Sequence, residues 1–208
     1  MSDQWLAWGQ KLHALAQNGL AYSQNPFDIE RFEAIRAIAT EMISTGTGME
    51  AKNIQAIFEA ESGYATPKLD VRAAAFQDNK ILLVREMLDG GRWTLPGGWM
   101  DPGDSPGGAA AREFREETGY EVRPLKLAAV YERGRHGHPV FYFSTIKLYF
   151  VCEITGGSPA TSNETGESAF FEEDGLPELS IARVTSTQIH MLFKHWRQPD
   201  LPTEFDTD

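Results

Sequence analysis

Between Gly97 and Tyr120 the chain reads GGWMDPGDSPGGAAAREFREETGY, an order of residue types that few folds tolerate. The Gly97-Gly98 pair and the Asp101-Pro102-Gly103 turn make a tight loop. Ser105 suits an N-cap and Pro106 the first helical position. Ala109, Ala110 and Ala111 give a thin, close-packing first turn, and Gly119 stands where a helix stops. The spacing predicts a helix over residues 106–118. On it Glu113, Glu116 and Glu117 are three and four residues apart, so they share a face. Like charges at that spacing repel. A hard divalent cation takes oxygen ligands, bridges phosphates and relieves that repulsion. REFREE alone would be a solvated charged face; the loop, cap and small residues in front of it set it apart.

The rest of the chain changes period once. Residues 1–60 read as helices. Trp5, Trp8, Leu12 and Leu15 fall at helical spacing, with Gly19 as the stop. Asn25-Pro26 opens a second helix with Phe27, Phe32, Ile35, Ile38 and Met42 along one face, and Ser44 to Gly48 breaks it. A third helix, about 49–60, carries Ile54, Ile57 and Phe58. The aromatics here read as core. Gly46-Thr47-Gly48-Met49-Glu50-Ala51 fits a loose dinucleotide fingerprint, but it follows a helix and no βαβ unit surrounds it. Glu61 to Pro67 is linker-like. Beyond it, Val71–Phe76 and Lys80–Glu86 read as strands joined at Gln77-Asp78-Asn79. Asp89-Gly90-Gly91 turns the chain into Trp93-Thr94-Leu95-Pro96. Val122 to Arg133 holds a strand or two, Arg133 to Pro139 a polar loop, Val140–Ile154 a long central strand, Phe170-Phe171 a short one and Thr185–Trp196 a final helix. Mixed strands with a helix packed between sheets make an α/β sandwich, preceded by an all-helical piece. The expected division is a helical domain over 1–60, a linker over 61–68 and an α/β domain over 69–208.

The net charge of −11 opposes non-specific binding to nucleic acid, so DNA is not an expected partner. It also makes an anionic substrate awkward unless metal ions intervene. No apolar run approaches a membrane span, and the N-terminus lacks a basic start followed by an apolar core. A cytoplasmic protein is expected. The single cysteine, Cys152, lies in the apolar run KLYFVCEI and reads as a buried thiol rather than a nucleophile.

The central stretch resembles the Nudix box, G-x5-E-x7-R-E-U-x-E-E-x-G-U, with U bulky and apolar. Gly98 matches the first glycine, and Arg112, Glu113, Phe114, Glu116, Glu117, Gly119 and Tyr120 match the tail, with an aromatic accepted at the last place. The early glutamate is Asp104 here. In the family that position supports the loop and helix start. The opening QWLAWGQKLHALAQNGLAYSQNPFDIERFEAIRAIATEMI is similar to the helical N-terminal domain of a Nudix subgroup that includes CDP-choline pyrophosphatases. TPKLDVRAAAF, WTLPGGWMDPGDSP, KLYFVCEITGG and the tail from Thr187 to Asp206 resemble that subgroup too.

The resemblance implies a Nudix α/β/α sandwich with a mixed sheet and a small all-α N-terminal domain, assembled as a homodimer. It implies a Mg²⁺- or Mn²⁺-dependent pyrophosphohydrolase. The substrate would be a nucleoside diphosphate linked to another moiety, of CDP-choline or ADP-ribose type, cleaved to a nucleoside monophosphate and a phosphorylated product. Glu113, Glu116 and Glu117 are the expected metal ligands, joined by the backbone carbonyl of Gly97. Arg112 is expected to orient Glu116 as an ion pair. The general base is a box glutamate or an acid from a later loop, where Glu164 and Glu167 are available. His136 and His138 read as surface residues; with Arg133 and Arg135 they are an alternative contact for a phosphate. Tyr64 and Trp99 read as core or hinge packing, with stacking on a base as the alternative. Two other functions stay open: a Nudix-like ligand sensor without turnover, and an RNA 5′-end pyrophosphohydrolase.

Overall fold

The structure, a computed structural model, describes residues 3–160 and 165–207, so Glu164 lies outside the described residues. The chain divides into two compact units, residues 1–68 with 140–144 and residues 69–139 with 145–208.

The first unit carries helices α1 (Asp3–Tyr22), α2 (Pro26–Thr47) and α3 (Ala51–Glu59). The Asn25 side chain accepts from the Phe27 N–H to cap α2, and Gly48 closes it in the left-handed conformation. Helix α1 runs through Gly19, which is not the stop the sequence suggested: a Cβ there would fall 2.4 Å from the Phe32 ring. At Gly9 a Cβ would meet Ile43 at 2.9 Å. The two helices therefore approach through small residues, and the buried face of α1 is Leu6, Gly9, His13 and Ala16. Trp5, Trp8 and Leu15 are displaced to an outer stripe, each about half exposed, and Phe27 and Ile38 on α2 are exposed as well. Reading these aromatics as core is thus corrected. The core of this unit is Leu6, Ile43, Ile54 and Phe58, with Tyr142 and Phe143 packed on it. Residues 140–144, expected to begin a strand, belong here instead.

The second unit is built on strands β1 (Lys68–Gln77), β2 (Lys80–Glu86), β3 (Arg92–Thr94), β4 (Tyr120–Glu132), β5 (Thr145–Gly157), β6 (Thr165–Phe171) and β7 (Glu204–Phe205), with helices α4 (Pro106–Thr118) and α5 (Ser186–Arg197). Asp78 and Asn79, both at positive φ, make the two-residue turn between β1 and β2. Among the described residues the strand order is β3-β2-β1-β5-β4-β7, with β6 paired to β2. The sheet is mixed, since β4 pairs antiparallel with β5 and parallel with β7.

Alternation along β1 serves two cores. Val71, Ala73 and Ala75 pack with Ala109, Ala110 and Phe114 of α4. Ala74 packs in the other core, with Tyr149, Val151 and the α5 residues Ile189, Leu192 and Phe193. Asp70 and Arg72 share the face of Ala74, so two charged residues sit at inward positions. Cys152 is buried in the α4 core, and burial pushes its thiol up to about 12, which suits packing rather than nucleophilic attack. No helix among the described residues is long and apolar enough to cross a membrane.

Candidate active site

Helix α4 occupies Pro106–Thr118, the range its caps dictate. The Ser105 hydroxyl accepts from the Gly108 N–H, Pro106 opens the helix, and Gly119 closes it at φ 76° with its N–H on the Arg115 carbonyl. Ala110, Phe114 and Thr118, four residues apart, face the core. That orientation leaves Glu113 and Glu117 on the flank beside the preceding loop and Glu116 at the surface.

The loop is zipped onto β1 by backbone hydrogen bonds. The Ala73 N–H donates to Pro96, Val71 to Gly98, and Met100 to Leu69, at 2.9, 2.9 and 3.1 Å. Gly97 must be glycine. Its φ is 140°, and a Cβ would sit 2.0 Å from the Val71 carbonyl oxygen. The Gly97 N–H donates to Glu117 Oε2 at 3.1 Å. A Cβ on Gly98 would fall 2.9 Å from Glu113 Oε2, so the bare backbone makes room for that carboxylate.

Arg112 ties the acids together. Its guanidinium donates to Glu113 at 2.7 Å, to Glu116 at 3.2 Å and to Asp104 at 3.0 Å. Asp104, one methylene shorter than the glutamate of the box, still reaches the arginine. Burial raises Glu113 from its ordinary value, against the pull of Arg112. Burial pushes Glu117 up to about 7, opposed by Arg72 and the Gly97 N–H and reinforced by Glu113 and Glu86. Two of the three acids thus carry a desolvation cost for being charged. Among the described residues no three His, Cys, Asp or Glu side chains converge on a common metal position; Glu113 and Glu116 are both paired with Arg112. The donors remain an all-oxygen set on one helix flank, the chemistry that suits a hard dication.

The other expected residues lie off α4. Glu167 is on strand β6 rather than a loop; it is exposed, 3.5 Å from Arg85. His136 is not a plain surface residue: it is half-buried, stacked on Tyr131 and 2.7 Å from Asp206 Oδ1. His138 is buried; its ring nitrogens meet the Ile181 carbonyl and the Gln188 amide, and burial lowers it to about 4. It is therefore a neutral, structural imidazole. Arg133 is also buried, donating to the carbonyls of Pro139 and Ala182. Tyr64 and Trp99 are both exposed, so neither is a core residue.

Sequence reasoning missed the charges behind the loop. Asp70 accepts two bonds from Arg72, at 2.7 and 2.8 Å, and one from Lys147 at 2.9 Å. Arg72 also donates to the Leu95 carbonyl at the start of the loop. Burial alone would raise Asp70, but Arg72 and Lys147 hold it well below the carboxylate range. The available signal was a charged residue at an inward position of an apolar strand, at Asp70-Val71-Arg72 and again at Lys147.

Residues 66–192 match the family described as NUDIX domain, and residues 3–58 match one described as UDP-X-like, N-terminal oligomerisation domain. A Bacillus subtilis protein provisionally named as an ADP-ribose pyrophosphatase is 41% identical over 206 residues, 99% of each chain. The crystal structure of a UDP-X diphosphatase superposes with a TM-score of 0.63 at 32% identity, covering 98% of both chains. That of an ADP-ribose pyrophosphatase from Streptococcus suis gives 0.62 at 36% identity, covering 68% of this chain and all of the other.

Proposed function

The chain belongs to the Nudix hydrolase family, and from that premise we propose that it hydrolyses the pyrophosphate of a nucleoside diphosphate linked to a second group. ADP-ribose-type and UDP-linked substrates are favoured by the names of its relatives; CDP-choline remains a candidate of the same chemistry. The observation that carries the reading is the capped helix α4, with Glu113 and Glu117 against the Gly97-Gly98 backbone and Arg112 bonded to Glu116.

Glu113, Glu116, Glu117 and the Gly97 carbonyl would hold Mg²⁺ or Mn²⁺, which supplies neutralisation of the diphosphate charge and a more acidic water. The protein's own share is positioning, which dominates phosphoryl transfer. Arg112 keeps Glu116 and Glu113 in register with each other and, through Asp104, with the loop. The Gly97 N–H fixes one oxygen of Glu117. The proton of the attacking water passes to a box glutamate or to Glu167, and Glu167→Gln separates the two: a large loss of turnover assigns the base to Glu167. The test of the whole reading is a panel of ADP-, UDP- and CDP-linked conjugates with Mg²⁺ or Mn²⁺, with products identified by mass. A nucleoside monophosphate plus a phosphorylated partner is expected. Tight binding with no product would replace the hydrolase with a sensor, and turnover confined to 5′-triphosphorylated RNA would replace the substrate class.

The exposed apolar stripe supports a homodimer formed through the first unit, as the oligomerisation-domain match suggests. Trp5 and Trp8 make an edge-on ring pair, centroids 5.5 Å apart, on a helix face that a lone three-helix unit leaves in water. Trp8→Glu is expected to convert the dimer to monomer in light scattering while circular dichroism stays unchanged. A variant with wild-type mass would move the interface elsewhere.

A further inference from the structure

Strand β1 and the loop before α4 are joined residue by residue. The Val71 and Ala73 N–H groups hold the carbonyls of Gly98 and Pro96, and Asp70 bridges to Trp99. Between Val71 and Ala73, Arg72 holds the Leu95 carbonyl with its side chain, at 3.1 Å. Of the carbonyls from Leu95 to Gly98, that of Gly97 alone has no donor among the described residues. The Gly97 N–H meets Glu117. The chain is thus pinned on both sides of the one residue whose backbone reaches the acidic helix.

Arg72 is held in a way that fixes where that pin sits. A free arginine side chain has many rotamers. Here Nε and one terminal nitrogen grip the two oxygens of Asp70, at 2.7 and 2.8 Å. That fork sets the plane of the guanidinium and aims the other terminal nitrogen at Leu95. Lys147 reaches Asp70 at 2.9 Å and, among the described residues, hydrogen-bonds nothing else. All three residues are buried. An apolar set of like volume is often at least as stable, so stability alone does not account for three charges here. Their place does. A Cβ on Gly97 would lie 2.9 Å from the Arg72 Cα, so residue 72 packs directly under the loop. Glu113 and Glu117 both feel its charge.

We propose that Arg72 is a positioning residue: its guanidinium, oriented by Asp70, clamps the Leu95 carbonyl and thereby sets the Gly97 backbone against Glu117. What that backbone does in turnover rests on the hydrolase reading; the clamp itself is separable from it. The test is Arg72→Lys in the full chain. Lysine keeps the charge beside Asp70 but has no planar fork with which to hold Asp70 and Leu95 together. Arg72→Gln is the second variant, since Lys147 still pairs Asp70 there. Amide hydrogen exchange at Gly97, read by NMR in metal-free protein, is expected to quicken about 10-fold or more in both, the loss of one charge-assisted hydrogen bond. Protection of Phe114 and Ala110 in α4 should hold, which separates a loosened loop from lost folding. With substrate, kcat should fall by about 10-fold while KM stays near wild type. Lys147→Met leaves the fork on Asp70 intact, so its Gly97 exchange should match wild type. Unchanged Gly97 exchange in both Arg72 variants would overturn the clamp and leave Arg72 a residue of the core. Exchange quickened equally by Lys147→Met would overturn it too, by assigning the effect to the charge cluster as a whole. No turnover by wild type on the nucleotide panel would remove the hydrolase reading and leave the exchange result standing.

Discussion

Glu117→Gln is expected to lower turnover of the preferred substrate by about 1000-fold, and Glu116→Gln by a similar factor. Glutamine matches glutamate in shape and can still accept the Gly97 N–H that meets Glu117 at 3.1 Å. What it removes is one negative charge from a set of three that the proposed metal site requires. Electrostatic stabilisation by such a site supplies several kcal/mol, and a loss of about 4 kcal/mol is about 1000-fold in rate. Stability should move the other way. Glu117 is largely desolvated and pushed up to about 7 by burial, so a neutral amide costs less to keep inside. The expected pair of results is a collapse of kcat with a melting temperature equal to or above wild type. The binding of Mn²⁺, followed by electron paramagnetic resonance, should weaken in parallel. Wild-type turnover in both variants would remove α4 from the chemistry.

Gly97→Ala should be as damaging by a different route. A Cβ at residue 97 would lie 2.0 Å from the Val71 carbonyl oxygen and 2.9 Å from the Arg72 Cα, and its φ of 140° is closed to L side chains. Both obstacles are backbone, so no side-chain rotation relieves them. Either the loop leaves β1, breaking the Val71–Gly98 and Ala73–Pro96 hydrogen bonds, or β1 shifts under α4. Strain of this kind costs on the order of 3 kcal/mol, and the displaced carbonyl and Glu117 should reduce turnover at least 100-fold. Gly98→Ala is the control. There the Cβ meets the far end of the Glu113 side chain at 2.9 Å, which can rotate, so activity should fall while the melting temperature holds. A Gly97→Ala protein with wild-type melting and turnover would mean that the loop does not run against β1.

Much of the scaffold of this site was legible because its signals are local. Ser105, Pro106 and Gly119 delimit α4 through bonds that span a turn of chain. The short apolar runs of β1 and β2 and the Asp78-Asn79 turn likewise depend on near neighbours. The first unit was read less well for the same reason. Hydrophobic spacing finds a helix, but it does not say which face is covered, and Gly9 and Gly19 let α2 approach a face other than that of Trp5 and Trp8. Strand β7 is two residues long and exists through its pairing with Ala129 and Val130, some 75 positions earlier.

The amino-acid order by itself determined the capped acidic helix, the glycine loop before it and the change from helical to alternating period, because each is a property of a few consecutive residues. Tertiary structure alone decided which charges went inside. Asp70, Arg72 and Lys147 meet from two strands 77 positions apart, His138 is locked between Ile181 and Gln188, and the Trp5–Trp8 pair is left outside. Burial and partnership are set by the whole packed chain, and the free energy of a charge depends on both.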